Sequence, residues 1–183
     1  MLIDVQEKLF PLIDNGCGII EKMIQAIDAF TIMGIPFIIT EQYPKGLGKT
    51  LGVLQNKLPA NSGYFSKTTF SAMKNKIIRD HIQSIKCDHW ILLGIEAHVC
   101  VLQSTIDLLK IGKQVTILND ATGSRSIYDY SSAIAELRDH HVRVASTETI
   151  IYELVGDSSS PFFKPINSLI KCYTEKNTSC CCS

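Results

Sequence analysis

Trp90-Ile91-Leu92-Leu93-Gly94-Ile95-Glu96-Ala97-His98-Val99-Cys100 carries an apolar strand directly into the start of a helix. Residues 90–93 read as a buried strand, and Val101, Leu102, Thr105, Ile106, Leu108 and Leu109 supply the apolar face of the helix that follows. Cys100 therefore falls near a helix start, where unpaired backbone N–H groups and the positive end of the helix dipole lower a thiol's pKa and favour the nucleophilic thiolate. A buried cysteine that packs as a small hydrophobe is the alternative reading of the same position.

Working outward, short β-type runs recur at residues 2–5, 36–39, 63–66, 114–118 and 142–145. Helical spacing predicts helices over 19–33, 73–85, 99–111 and 130–140, the first stopped by Gly34 and Pro36. Strands that are apolar throughout, separated by helices, predict a mainly parallel sheet covered on both faces. Such sheets bind ligands beyond the carboxyl ends of their strands. Asp4, Lys67 and Cys100 each follow a predicted strand.

The chain has 183 residues, 45% hydrophobic and 20% charged, with eighteen basic and eighteen acidic side chains. That suits one domain, with no block of Lys and Arg to mark a nucleic-acid groove and no apolar run long enough to span a membrane. The boundaries expected are a domain over 1–172 and a flexible Cys-rich tail over 173–183. Seven cysteines, three of them Cys180, Cys181 and Cys182, show neither zinc-ligand spacing nor an even disulfide framework. A reducing compartment follows, with the cytoplasm expected and a mitochondrial association kept open. With residues 2–5 already read as a strand, no signal or transit segment is expected before it, and an upstream extension stays open.

Asp4, between Ile3 and Val5, reads either as a turn cap or as a general base poised between burial, which raises its pKa, and a nearby Lys67, which lowers it. Lys67 reads either as a surface lysine or as the group that keeps Asp4 ionised and stabilises developing negative charge. His98 is two residues from Cys100, a spacing that suits an orienter or cap better than a general base. Glu41, Gln42 and Tyr43 follow a strand end, and Thr122 and Arg125 lie in the loop expected after Asn119-Asp120. All five are candidates to line a pocket, with Tyr43 stacking on a planar substrate and Arg125 pairing with an anionic one or with Asp120.

The runs Leu2-Ile3-Asp4-Val5-Gln6, Thr40-Glu41-Gln42-Tyr43-Pro44-Lys45-Gly46-Leu47-Gly48, Phe65-Ser66-Lys67-Thr68, Gly94-Ile95-Glu96-Ala97-His98-Val99-Cys100 and Phe162-Phe163-Lys164-Pro165-Ile166 together resemble the isochorismatase-like cysteine hydrolases, in particular the isochorismatase domain-containing branch. The resemblance implies a three-layer Rossmann-like α/β sandwich, a six-stranded parallel sheet in the order 3-2-1-4-5-6 with helices on both faces. It implies Cys100 as nucleophile, Asp4 as base and Lys67 as the third member of a triad. It also implies a cis peptide at Ile95-Glu96 that turns the Glu96 N–H toward the site, where with the Cys100 N–H it forms an oxyanion hole. The expected chemistry is hydrolysis of a small-molecule amide through a Cys100 thioester, with no cofactor, in a homo-oligomer of two or more copies.

Two branches of that family separate by what this chain lacks. Nicotinamidases carry an Asp-x-His metal pair where this chain has Gln42-Tyr43-Pro44, and no histidine precedes His81 here, so no metal site is expected. Isochorismatases proper cleave a vinyl ether without a nucleophilic cysteine, so Cys100 favours thiol-dependent hydrolysis. A non-catalytic binding or scaffold protein on the same fold, a thiol redox protein and a nuclease are the competing classes. The absence of a Cys-x-x-Cys pair weighs against the redox reading, and zero formal charge against the nuclease.

Overall fold

The computed structural model describes the backbone of residues 1–180 and the side chains of residues 1–175. Among them, six parallel strands form one sheet: β1 Leu2–Ile3, β2 Ile38–Gln42, β3 Gly63–Lys67, β4 His89–Ile95, β5 Gln114–Gly123 and β6 Arg143–Ala145. Their spatial order is β3-β2-β1-β4-β5-β6, as expected from the resemblance. Helices α1 Gly16–Ile32, α2 Pro44–Leu47, α3 Gly52–Gln55, α4 Lys76–Ser84, α5 Leu102–Lys110, α6 Ile127–Asp139, α7 Thr147–Val155 and α8 Phe163–Cys180 complete the chain.

Alternation along the strands divides the core into two layers. Leu2, Ile39 and Leu93 pack with Met23, Ile27 and Phe30 of α1, Ile151 of α7 and Ile166 of α8. Their neighbours Ile3, Ile38 and Leu92 pack on the opposite face with Ile78 and Ile82 of α4, Leu108 of α5 and Leu137 of α6. Burial of such side chains stabilises each face by roughly 25 cal/mol per Å² of apolar surface removed from water, so helices are needed on both sides.

Several boundaries differ from the sequence reading. β1 is two residues long because Asp4 adopts a left-handed conformation, φ 55°, which ends the ladder. The helix predicted over 73–85 starts at Lys76, where the Asn75 side chain accepts from the N–H groups of Ile77 and Ile78. β5 runs on through Asn119 and Asp120 to Gly123, so Thr122 belongs to the strand and not to a loop. The last helix, α8, runs through residue 172, and the Tyr173 hydroxyl donates to Asp28 Oδ2 at 2.9 Å. The side chain of Cys180, and Cys181 and Cys182 entirely, lie outside what the structure describes. Among the described residues no helix is long and apolar enough to cross a membrane.

The order of strands reverses between β1 and β4, the crevice where a sheet of this kind accepts ligands. Gly94 makes that junction close. Its φ is 149°, and a Cβ there would lie 2.3 Å from the Ile3 carbonyl oxygen and 2.7 Å from the Ile3 nitrogen.

Candidate active site

Asp4, Lys67 and Cys100 meet at this crevice. Asp4 and Lys67 are buried, and Lys67 Nζ donates to Asp4 Oδ2 at 2.6 Å. The ammonium also donates to Gln42 Oε1 at 2.7 Å and to the carbonyls of Thr69 and Phe70 at 3.2 and 3.1 Å. On its other oxygen Asp4 accepts from Thr40 Oγ1 at 2.7 Å. A buried ion pair survives desolvation only when its remaining valences are filled in this way. Because β2 alternates, Thr40 and Gln42 serve this face while Glu41 turns away, its Oε1 accepting from the Thr50 N–H and hydroxyl, each at 2.8 Å. The fully buried Gln6 holds the end of β2 in place: Nε2 donates to the carbonyls of Gln42 and Gly48, and Oε1 accepts from the Gln42 N–H.

Cys100 is buried, and its thiol is pushed up to about 12. Burial is the main cause, the Asp4 charge the next, and Lys67 pulls the other way. The thiolate expected from a helix start is therefore overturned. Loss of hydration and the adjacent Asp4 charge outweigh the helix terminus, and the resting group is a neutral thiol.

The Ile95-Glu96 peptide is trans, which corrects the expected cis bond. The chain reverses instead through Glu96 itself, at φ 56° and ψ 62°, and then enters a single π turn, Ala97–Val101, in which the Glu96 carbonyl accepts from the Val99 and Val101 N–H groups. The device expected to turn the Glu96 N–H into an oxyanion hole is absent, and no role is retained for that group. Asp4, Tyr43 and Glu96 are three of the five described non-glycine residues with positive φ, and all three sit at the carboxyl end of the sheet.

A cleft of about 310 Å³ opens on Cys100, walled by the apolar side chains Leu9, Leu12, Leu47, Phe70 and Val99 and by Gln42, Glu96 and Arg125. Of the five pocket candidates, Gln42 and Arg125 line it. Tyr43 is half exposed, and Thr122 lines a separate cavity of about 330 Å³ beside α1 and α6. Arg125, an exposed side chain, does not pair with Asp120. Its Nε lies 2.8 Å from Glu96 Oε1, while Asp120 Oδ1 takes the Thr147 N–H and hydroxyl. His98 does not pair with the thiol: its Nδ1 is 3.0 Å from Ser124 Oγ, tying the turn after β4 to the end of β5. Among the described residues, no group of three or more His, Cys, Asp or Glu side chains gathers to hold a metal.

Sequence reasoning missed Thr40, Gln6 and the Glu96 carboxylate. The alternation of Thr40-Glu41-Gln42 held the signal for Thr40, since it puts residues 40 and 42 on one face. The Glu96-Arg125 pair joins two loops and had no sequence signal.

The isochorismatase domain model matches residues 1–149. Isochorismatase domain-containing protein 2 of Danio rerio is 37% identical over 173 residues, covering 93% of this chain and 85% of that protein. Isochorismatase domain-containing protein 1 of Salmo salar is 36% identical over 168 residues, covering 92% of this chain; the chain spans only 59% of that protein's length. A solved structure described as MAR1 ribonuclease from Caenorhabditis elegans is 41% identical, with a TM-score of 0.86 over 92% of this chain and 86% of its own.

Proposed function

This chain belongs to the isochorismatase family, and from that premise we propose that it is a metal-independent cysteine hydrolase of a small-molecule amide, with Cys100 as nucleophile, Asp4 as base and Lys67 as electrostatic partner. The observation that carries the reading is the buried Lys67-Asp4 pair, 2.6 Å between Nζ and Oδ2, set against a buried thiol at the head of a cleft.

In this mechanism the thiol proton passes to Asp4 as Sγ attacks the substrate carbonyl, so a thiolate never accumulates before substrate binds. The Sγ–C bond forms, and the negative charge that develops on oxygen is stabilised by the nearby Lys67 ammonium and the Cys100 N–H. Collapse breaks the C–N bond, with the proton held by Asp4 going to the departing nitrogen. Water, deprotonated by Asp4, then adds to the thioester. The C–S bond breaks, the acid leaves and the thiol regains its proton. Gln42, tied to both Lys67 and Gln6, keeps the ammonium aimed.

A screen of small carboxamides, followed by ammonia release, tests this. Wild type is expected to turn over at least one amide and Cys100→Ser to lose that turnover by about 10³-fold or more. Equal turnover by the two proteins contradicts the assignment. We include in the reading that the protein forms a homo-oligomer, which light scattering checks.

The C. elegans relative supports a second reading, ribonuclease activity. Against it, the charged groups of this cleft neutralise one another in two pairs, Asp4-Lys67 and Glu96-Arg125, leaving little positive field for a phosphodiester. RNA cleavage that co-purifies with the protein and disappears in Asp4→Asn would favour the ribonuclease. A folded protein whose Cys100 reacts with nothing would favour a binding protein on the same scaffold.

A further inference from the structure

Every charged group in the cleft but one oxygen is accounted for. Lys67 is surrounded by four acceptors, Asp4 is bonded on both oxygens, and Arg125 holds Glu96 Oε1. Glu96 Oε2 is buried and has no hydrogen-bond partner. His98 Nδ1 lies 3.4 Å from it but is engaged with Ser124 Oγ at 3.0 Å. A buried carboxylate oxygen strongly prefers a donor, and Glu96 lines the same cleft as Cys100. Among the described residues no group donates a hydrogen bond to it, so the donor is expected from a ligand.

We propose that Glu96 is a specificity-determining residue whose free oxygen accepts an N–H of the substrate beside the scissile carbonyl. The cleft thereby selects neutral or cationic carboxamide-type compounds and excludes those bearing a carboxylate near that carbonyl. This rests on Cys100 being the nucleophile. Arg125 is a positioning residue: it occupies one carboxylate oxygen and leaves the other unpaired. The apolar walls, Leu9, Leu12, Leu47, Phe70 and Val99, provide no competing polar contact from their side chains, so one acceptor can dominate selection.

Three small alkylating reagents with a common core test this without a known substrate: iodoacetamide, 2-iodo-N,N-dimethylacetamide and iodoacetate. In each, the S–C bond forms, the C–I bond breaks, iodide leaves and the thiol proton is lost to Asp4 or solvent. Rates at Cys100 are read by peptide mass mapping and divided by the rate of each reagent with N-acetylcysteine, which removes intrinsic reactivity. Wild type is expected to favour iodoacetamide by about tenfold over each of the other two.

In Glu96→Gln, Arg125 keeps the amide oxygen and an NH₂ donor takes the place of the free acceptor. The preference for iodoacetamide over its dimethyl analogue should fall to within about threefold, and iodoacetate should gain about tenfold relative to wild type. Arg125→Gln, at an exposed side chain that folding tolerates, should retain the N–H preference and exclude iodoacetate more strongly. Unchanged ratios in Glu96→Gln would assign the selection to reagent size, and a wild-type preference for iodoacetate would make Arg125 an anion receptor; either result overturns the inference. Reaction at Cys100 without selectivity overturns the inference and leaves the nucleophile standing, whereas a folded protein unreactive toward all three overturns the nucleophile and the inference together.

Discussion

Cys100 lies beside a negative and a positive charge, and the two act on its proton in opposite directions. Asp4 disfavours the thiolate electrostatically, while in the proposed mechanism it is also the route by which the proton leaves. Asp4→Asn therefore separates ionisation from catalysis. With the carboxylate gone, Lys67 remains as a buried cation whose nearest remedy is the Cys100 thiolate, so the thiol pKa should fall below its value of about 12 while amide turnover is lost. Thiolate absorbance near 240 nm, titrated in wild type and variant, checks this; a pKa unchanged or raised in Asp4→Asn would contradict the electrostatic account. The positions of Asp4 and Cys100 were legible from sequence because each follows an apolar strand. The direction of the Cys100 shift was not, since burial and contact with residues 4 and 67 arise only once β1, β3 and β4 are assembled into one sheet.

At the scale of the element, the junction after β4 depends on backbone geometry that side-chain patterns do not reveal. Gly94 lets β4 approach β1 closely, and Gly94→Ala would drive a Cβ into the Ile3 backbone. The expected cost is about 3 kcal/mol or more, measured by urea unfolding, with loss of the Asp4-Cys100 geometry even in the folded fraction. A change under about 0.5 kcal/mol would show that the junction is looser than described. Strand existence was legible here, but the reversal was assigned to a cis peptide, whereas a left-handed Glu96 and a π turn accomplish it. β5 was read as too short for a related reason. Asn119-Asp120 has turn composition, yet Asp120 finds its partners on Thr147, and the strand continues.

At the scale of the molecule, the covering of both faces followed from apolar strands alternating with helices, whereas the sheet order came from the family resemblance. The division of pocket residues followed from neither, because β5 sends Thr122 to one cavity and the following Arg125 to another. The raised thiol also couples the site to global stability. The unfolded chain releases the Cys100 proton near its ordinary value of 9.0, while the folded chain keeps it to about 12. Between those values the folded state binds more proton, so this group's contribution to stability is full below 9 and declines as pH rises. Cys100→Ala lacks that component, and its stability should fall less steeply than wild type's between pH 9 and 12; parallel slopes in chemical unfolding would contradict the burial of the thiol. The central claim, that Cys100 forms an acyl bond to substrate, is tested most directly by intact-mass measurement after rapid acid quench with small carboxamides. The account predicts an acyl adduct that maps to Cys100, present in wild type and absent in Cys100→Ala, whereas amide turnover by Cys100→Ala at the wild-type rate would contradict it.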